Sequence, residues 1–508
     1  MSAVWGPGLE RTLEGMVLCA AAWPAFGLLA RRSFRNAFPA FARYLAGLLV
    51  LYLAGLVLLA VMAPAWLVRC AAAGALAVLG VVHWHSAVAR GRAHGWPPGS
   101  LQPLAAGPLT RQNFFLEQFR RLGSPFKTSQ FLRPTACLVG LADGLAFFHE
   151  HDESLASPPW AFGRFIPGGF LRHMPRRQHA AARDVFRSSL VREVYQPQEA
   201  FIRDVFRREL AVMAQGSRDG GVPPRRHVQR AVFTIWVRLF FGIERDSADC
   251  AQLASLYKII DIRNPMGASD RQIRNAVDAV IAIARRQVDR DVDGDRPRSF
   301  LHAMARTRPG SADDPTMIGN LVYMLHTTWA DVSGLLQWVT RLLTDHGEWA
   351  DRLRQARGTG DNGSASLSTR VVMETLRLEQ SEYLYRVATA DIDHNGFRVP
   401  KGWLVRLCVR ESHQDPTVFE EPAVFNPDRF LHRTFTRREY APFGAGLRHA
   451  CLGEQLTRTV ASIFVEELAR GYVWHTVTDG PPEHSAWRHW RPSSGWRIAL
   501  TARDAPHE

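Results

Sequence analysis

The chain of 508 residues has little cysteine, no fixed-period repeat and no long low-complexity tract. Its six cysteines, Cys19, Cys70, Cys137, Cys250, Cys408 and Cys451, are dispersed, and no two form a CxxC pair. That makes a disulfide framework a poor fit and favours a reducing, cytosolic compartment. Zinc-finger spacing is absent, as is any basic stripe interleaved with aromatics, so nucleic-acid readout is not expected despite a net charge of +14. The basic residues are scattered in pairs such as Arg176–Arg177, Arg207–Arg208 and Arg437–Arg438. A charge of this size points instead to an anionic membrane surface or an acidic protein partner. Length alone allows several domains or one large catalytic domain. With 46% hydrophobic residues, the chain has ample apolar material to bury a cofactor.

Long apolar runs are present, and they crowd the first ninety residues. Residues 44–63 carry no charge, and at 1.5 Å per residue they span about 30 Å, the thickness of a hydrocarbon core. Pro64 ends that run. Residues 65–89 are apolar again apart from Arg69, His83 and His85, and Gly15–Ala30 forms a shorter run interrupted by Pro24. Arg31, Arg32, Arg35 and Arg43 separate the first two runs, and Arg90 and Arg92 follow the third. The positive-inside rule puts both basic clusters on the cytoplasmic side. The expectation is therefore a multi-pass anchor over residues 1–90, with two or three transmembrane helices. A Pro/Gly linker over 91–99 follows, and then a catalytic domain over 100–508 facing the cytoplasm.

Only Cys451 has informative surroundings. It ends the glycine-punctuated segment Ala441-Pro-Phe-Gly-Ala-Gly-Leu-Arg-His-Ala-Cys451, and an apolar-periodic stretch, Leu456–Ala469, reads as a helix just beyond it. A thiol at a helix N-terminus is favoured as thiolate, the form that binds metals. Gly444, Gly446 and Gly453 permit tight turns and close approach to a flat cofactor. Phe443 can cover the sulfur, and Arg448 and His449 can reach a carboxylate.

This loop resembles the signature of the cytochrome P450 family, Phe-x-x-Gly-x-Arg/His-x-Cys-x-Gly. Phe443, Gly446, Cys451 and Gly453 match, with one extra residue between Gly446 and Cys451, so either Arg448 or His449 takes the basic position. Weaker motifs follow the family's order from about Pro97 to Ala502. Residues 123–140 read as a hairpin. Glu374 and Arg377 form a Glu-x-x-Arg, sharing a helix face at i and i+3. Arg386 precedes strand chemistry around turns at Asn395–Gly396 and Pro400–Gly402. Residues 413–430 resemble the family's meander, closed by Pro427-Asp-Arg429-Phe430. His179 and Arg183 lie one helical turn apart.

The resemblance implies a mainly α fold with a small β region, wrapped around haem b. It makes Cys451 the iron ligand, beside Phe443. It assigns the propionates to Arg386, to Arg448 or His449, and to His179 and Arg183. It joins Glu374, Arg377 and Arg429 in one polar network.

The central helix departs from the family pattern. It is expected over Met317–Thr344, where the family usually carries an adjacent acid and alcohol that relay protons. Aligning on Trp338 puts Ala330 at the acid position and Val332 at the alcohol position. Asp331 with Thr327 or Thr328, four or three residues apart, is the substitute relay; equally, these groups bond only to backbone or solvent. Residues 379–385 lack the prolines often found there and are expected near the pocket. The implied activity is a monooxygenase acting on an apolar or lipid-like small molecule. Its electrons would come from a separate ferredoxin or flavoprotein reductase, because no flavin or nicotinamide domain is apparent. The alternatives are a haem-thiolate enzyme needing no external electrons (peroxide-using, isomerase or dehydratase) and a non-catalytic haem protein.

Overall fold

The computed structural model describes residues 46–55, 95–101, 111–130, 133–158, 161–217, 220–260, 268–288, 297–356, 365–379, 384–444, 450–484 and 489–503. Residues 46–55, inside the apolar run 44–63, are helical; the rest of the expected anchor lies outside the described residues. Among the described residues, no helix is long and apolar enough to cross a membrane.

From residue 95 onward, helices dominate. Those of eight residues or more are α1 (Phe114–Leu122), α2 (Leu141–Glu150), α3 (Arg176–Ser189), α4 (Glu199–Gly216), α5 (Pro224–Phe241) and α6 (Ala248–Ile260). They continue as α7 (Asp270–Val288), α8 (Phe300–Thr307), α9 (Pro315–Asp345), α10 (Gly347–Gln355), α11 (Leu367–Leu378) and α12 (Glu454–Gly471). Their ends follow local chemistry. The Asp314 carboxylate accepts from the Thr316 N–H at 2.8 Å, and Pro315 opens α9 with the one residue that has no N–H to leave unpaired. Ser366 caps α11 in the same way through the Thr369 N–H. Gly242 ends α5 in the left-handed region at φ 74°.

Helix α9 is the axis of the core. Its residues Leu321, Val322, Leu325, Leu335, Leu336 and Val339 are buried, and α5, α7, α11 and α12 pack around it. A helix enclosed on nearly every side has apolar residues almost all round.

The β region is a five-stranded sheet in the order β1-β2-β7-β4-β3, with two separate hairpins. Its strands are β1 (Phe126–Gln130), β2 (Arg133–Leu138), β3 (Leu155–Ala156), β4 (Leu384–Ala388) and β7 (Leu404–Leu407). Only β2 and β7 run parallel; β1–β2, β4–β7 and β3–β4 are antiparallel. The hairpin expected at 123–140 is the β1–β2 pair. Between β4 and β7 the chain makes the two-stranded hairpin of β5 (Ile392–His394) and β6 (Phe397–Val399). Asn395 and Gly396 connect these strands with φ 48° and 78°, the conformation for which Asn-Gly is selected in two-residue hairpin turns. The other hairpin joins β8 (Tyr472–Thr478) to β9 (Arg497–Ala502).

Residues 95–99 are held against the sheet. Trp96 meets the Trp403 ring edge-on at 4.9 Å, the Arg398 N–H donates to the Gly95 carbonyl, and the Lys127 N–H donates to the Pro98 carbonyl. Gly99 sits at φ 121°, and a Cβ there would lie 2.2 Å from the Lys127 carbonyl oxygen. We expect Gly99→Ala to cost about 1–3 kcal/mol of stability through this backbone clash and forbidden φ. The urea midpoint should fall at unchanged m-value; an unchanged midpoint would mean that this segment contributes nothing to the folded state.

Candidate functional site

The site is built around one thiol. Among the described residues Cys137, Cys250 and Cys408 are buried, whereas Cys451 is exposed. The Cys451 N–H donates to the Phe443 carbonyl at 2.9 Å, closing the loop on itself. The Gly453 N–H points at the Cys451 sulfur at 3.3 Å, and α12 begins at the next residue, Glu454. Amide donation and a helix N-terminus both stabilise negative charge on sulfur. Gly444 adopts φ 81°, and a Cβ at that position would lie 3.7 Å from Leu384 of β4, so the loop abuts the strand that carries Arg386.

Helix α3 reaches the same loop. The Arg183 guanidinium donates to the Ala450 carbonyl at 2.7 Å, one residue before the thiol. Burial lowers the Arg183 pKa, with further lowering from Arg187 and Arg172 and an opposing pull from Cys451. His179 is buried one turn earlier on the same helix. Arg386 is buried on β4, donates to the Tyr385 carbonyl at 2.8 Å and lies over the Phe148 ring. Phe443 packs against the main core, with the Arg458 guanidinium over its ring. Arg448 and His449 lie outside the described residues.

A polar network braces this loop from behind. Glu374 and Arg377 on α11 have no accessible side-chain surface. Arg377 donates through Nε and Nη2 to the two Glu374 oxygens at 2.7 and 2.8 Å. Its remaining donors reach the carbonyls of His413 at 2.8 Å, Pro422 at 2.7 Å and Val424 at 3.3 Å. Glu374 Oε1 also accepts from Arg429 Nε and from the Asn426 N–H, both at 3.0 Å. Every guanidinium proton of Arg377 is thus used, as a buried charge requires.

His413 carries the network forward, and sequence reasoning did not single it out. Its carbonyl takes a proton from Arg377, while its ring Nε2 accepts the Ala441 N–H at 3.1 Å, at the start of the cysteine loop. The ring stacks on Tyr440, whose hydroxyl donates to the Met373 carbonyl of α11 at 2.8 Å. Burial, and next the Arg377 charge, lower the His413 pKa from 6.5 to about 3, so the ring stays neutral and its acceptor nitrogen stays available. The available signal was its place at the head of the meander, His413-Gln-Asp-Pro.

The remaining predicted residues lie in the middle of α9. Between Met317 and Thr340 only Tyr323, Met324, Thr327, Thr328, Trp329 and Asp331 are more than marginally accessible. All but Trp329 fall within an arc of about 140° at 100° per residue, one face of the helix. Trp329 points elsewhere, donating to the Gln229 carbonyl at 2.8 Å. Thr327 and Asp331 share the accessible face. Both threonine hydroxyls are within reach of their own helix: Thr327 donates to Met324 at 3.1 Å and Thr328 to Met324 at 2.7 Å. Val332 is buried. A second residue not foreseen from sequence is Arg491, buried, whose guanidinium donates to the Ala330 carbonyl at 2.6 Å. It pulls on an α9 carbonyl within the segment that departs from the family pattern.

An exposed thiol facing an amide N–H in a braced loop, with Arg183 on the preceding carbonyl, has the chemistry of a thiolate metal ligand in a mainly helical fold. A family model described as Cytochrome P450 matches residues 359–493. Relatives include a taxane 13-alpha-hydroxylase of Taxus cuspidata, 24% identical over 74% of this chain and 85% of its own. Cytochrome P450 26A1 of Gallus gallus is 27% identical over 76% of this chain and 86% of its own. An abscisic acid 8'-hydroxylase 3 of Oryza sativa is 27% identical over 51% of this chain, and the match spans 57% of that relative. Among solved structures, a retinoic-acid-bound cyanobacterial CYP120A1 superposes with a TM-score of 0.65 at 19% identity, covering 81% of this chain and 100% of its own. Over residues 359–493 the chain is similar to the cytochrome P450 family, and its fold is that of the solved cytochrome P450 it superposes on. That family binds haem b, and the donor set fits it: one exposed, amide-bonded sulfur for iron and guanidinium groups for propionates.

Two outcomes are expected. Arg377→Ala strands the buried Glu374 carboxylate and should destabilise the fold by about 3–5 kcal/mol, read by denaturant unfolding. Separately, the folded protein keeps His413 neutral to about pH 3, whereas the unfolded chain protonates near 6.5. Its contribution is therefore complete above pH 6.5 and is lost as pH falls toward 3. His413→Asn should flatten the fall of stability across that window by about one proton's worth; an unchanged slope would mean that the ring is not held neutral.

Proposed function

We propose that this chain is a membrane-anchored monooxygenase in which Cys451 ligates the haem iron and an apolar small molecule is oxidised beneath α9. The observation that carries the reading is the exposed Cys451 sulfur facing the Gly453 N–H at the start of α12, on a loop tied through His413 to Glu374 and Arg377. Haem so ligated supplies oxygen activation, the thiolate favouring O–O cleavage. Arg183 and Arg386, with Arg448 or His449 and with His179, hold the propionates. Phe443 shields the sulfur, and Glu374, Arg377 and Arg429 keep the loop in place.

The accessible face of α9 is the distal wall, where Thr327, Thr328 and Asp331 hold or pass protons. The relatives named as hydroxylases of abscisic acid and of taxanes, and the neighbour solved with retinoic acid, support a largely hydrocarbon substrate. Arg183 bonds the carbonyl next to Cys451 and feels the charges of Arg187 and Arg172. These basic groups suit the docking of an acidic ferredoxin or flavoprotein as electron donor. The apolar runs within residues 1–90 support a multi-pass anchor, a Pro/Gly linker over 91–99 and a catalytic domain over 100–508 on the cytoplasmic side.

One observation favours a second reading, turnover without external electrons. The Thr327 and Thr328 hydroxyls donate to α9 carbonyls, and the aligned alcohol position is the buried Val332. Such an enzyme would use peroxide, or rearrange or dehydrate an oxygenated substrate.

The decisive spectrum is that of the reduced, carbon-monoxide-treated protein. The thiolate-type Soret band should appear in the wild type and vanish in Cys451→Ala; a folded wild type with an imidazole-type band would remove the assignment. Product formation from an apolar substrate panel is then compared with a reductase under air and with hydroperoxide alone. Reductase-dependent product that falls at least tenfold in Asp331→Asn supports the first reading, and hydroperoxide-driven product insensitive to that change supports the second.

A further inference from the structure

Away from the cysteine loop, three metal-binding side chains converge at the far end of the sheet. Glu150 ends α2, His151 follows it, and His394 ends β5, 243 residues later. Sequence shows only an adjacent Glu-His pair, which by itself means little. The fold supplies the third group: the β3–β4 pairing of Leu155 with Ala388 and the Thr389 N–H to Ser154 carbonyl bond at 2.8 Å hold the two segments side by side.

The geometry is that of a coordination site. His151 Nε2 and His394 Nδ1 face each other at 3.2 Å. One Glu150 oxygen lies 3.7 Å from His151 Nε2 and the other 3.5 Å from His394 Nδ1. An ion with bonds of about 2.0–2.1 Å in a tetrahedron spaces its ligand atoms about 3.3–3.4 Å apart, so little movement is needed to admit one. The two imidazoles are largely covered, with 16% and 15% of their side-chain surface accessible, while the Glu150 side chain keeps 62%. Phe147 places its ring edge-on to both imidazoles at 4.8 and 4.9 Å and walls off one side. The open side leaves room for a water or hydroxide as fourth ligand.

An outer-shell partner is also present. The Asn395 side-chain amide lies 3.1 Å from His394 Nε2, the nitrogen that faces away from the cluster. The oxygen and nitrogen of an amide are interchangeable by a simple flip. With its oxygen inward, Asn395 accepts the Nε2 proton, fixes the tautomer and leaves Nδ1 free to bind metal. The turn that orients Asn395 is the Asn-Gly turn of the β5–β6 hairpin, so the same local geometry positions both shells.

We propose that Glu150, His151 and His394 form a binding site for one divalent transition-metal ion, zinc being the best match to two imidazoles, a carboxylate and an open fourth position. The ion would clamp the C-terminal end of α2 to the β5–β6 hairpin. Phe148 of α2 lies under Arg386, so the clamped helix is one that also contacts β4, the strand that the cysteine loop abuts. The competing account of the same contacts is a plain hydrogen bond between the two imidazoles, with Asn395 donating to Nε2.

The test uses full-length, tag-free, haem-loaded protein in detergent, stripped with a chelator and titrated with Zn2+ by calorimetry. Co2+ absorption reports the geometry. The expected result is one Zn2+ per chain, a raised melting temperature and the intense visible band of tetrahedral Co2+. Glu150→Gln, at an exposed carboxylate, should keep the fold and weaken binding at least tenfold. His394→Ala should abolish binding, and Asn395→Gly, which suits the turn, should weaken it about tenfold to hundredfold. The carbon monoxide spectrum should not change in any variant, which separates this site from the haem site. No saturable binding at micromolar Zn2+, or binding that survives both Glu150→Gln and His394→Ala, would overturn the proposal in favour of the plain hydrogen bond or of adventitious sites elsewhere.

Discussion

Glu374 sits with its carboxylate wholly removed from solvent, and much of the catalytic body is arranged so that this charge can be there. Both of its oxygens accept from Arg377, and one also takes Arg429 and a backbone N–H. Desolvating two ions costs several kcal/mol each, and attraction alone does not reliably offset that. What makes the arrangement stable is completeness: Arg377 spends its remaining protons on the carbonyls of three residues in the meander. The meander is therefore tied to α11 by charge-assisted hydrogen bonds as well as by the buried Phe419–Phe430–Tyr440 cluster that packs on Met373. Through the His413 ring the same constraint reaches the first residues of the cysteine loop. The thiol is exposed but held locally by the Phe443 carbonyl, the Gly453 N–H and the Arg183 bond to Ala450, and the buried charge anchors the start of its loop.

The middle of α9 is held differently. Helix α9 is held by apolar packing on nearly all sides, and its accessible face is a short half-polar arc. Polar groups on a helix far from bulk water turn back to the nearest carbonyl, and Thr327 and Thr328 do so. The Ala330 carbonyl instead receives a buried guanidinium from Arg491, near the C-terminus. A cation at a mid-helix carbonyl takes up acceptor capacity otherwise available to the following turn. It gives this chain's α9 a local electrostatic environment that the motif residues alone do not describe.

Much of the outline was legible in the primary structure. The long central helix, expected over 317–344, runs over Pro315–Asp345, and the helix after the cysteine, expected over 456–469, is Glu454–Gly471. Apolar periodicity marks helix interiors well and ends poorly, since ends depend on caps such as Asp314. The β1–β2 hairpin and the Asn395–Gly396 turn were visible because turn chemistry is local. The Glu374–Arg377 spacing was visible as a shared helix face. Its burial was not, because an i, i+3 ion pair looks the same in sequence whether it lies on a surface or in a core.

What the sequence by itself determined is whatever depends on neighbours along the chain. That comprises helix periods, turns, the placement of a cysteine before a helix N-terminus, and the concentration of apolar runs in the first ninety residues. What only the tertiary structure decided is whatever depends on residues far apart meeting. Arg429 and the His413 carbonyl converge on α11, Arg183 of α3 reaches Ala450, Arg491 reaches Ala330, and His394 comes to lie against Glu150 and His151. The physical reason is the range of the forces involved. Backbone torsion and capping act within a few residues, whereas a buried charge or a clustered ligand set is satisfied only by partners that packing delivers from elsewhere in the chain.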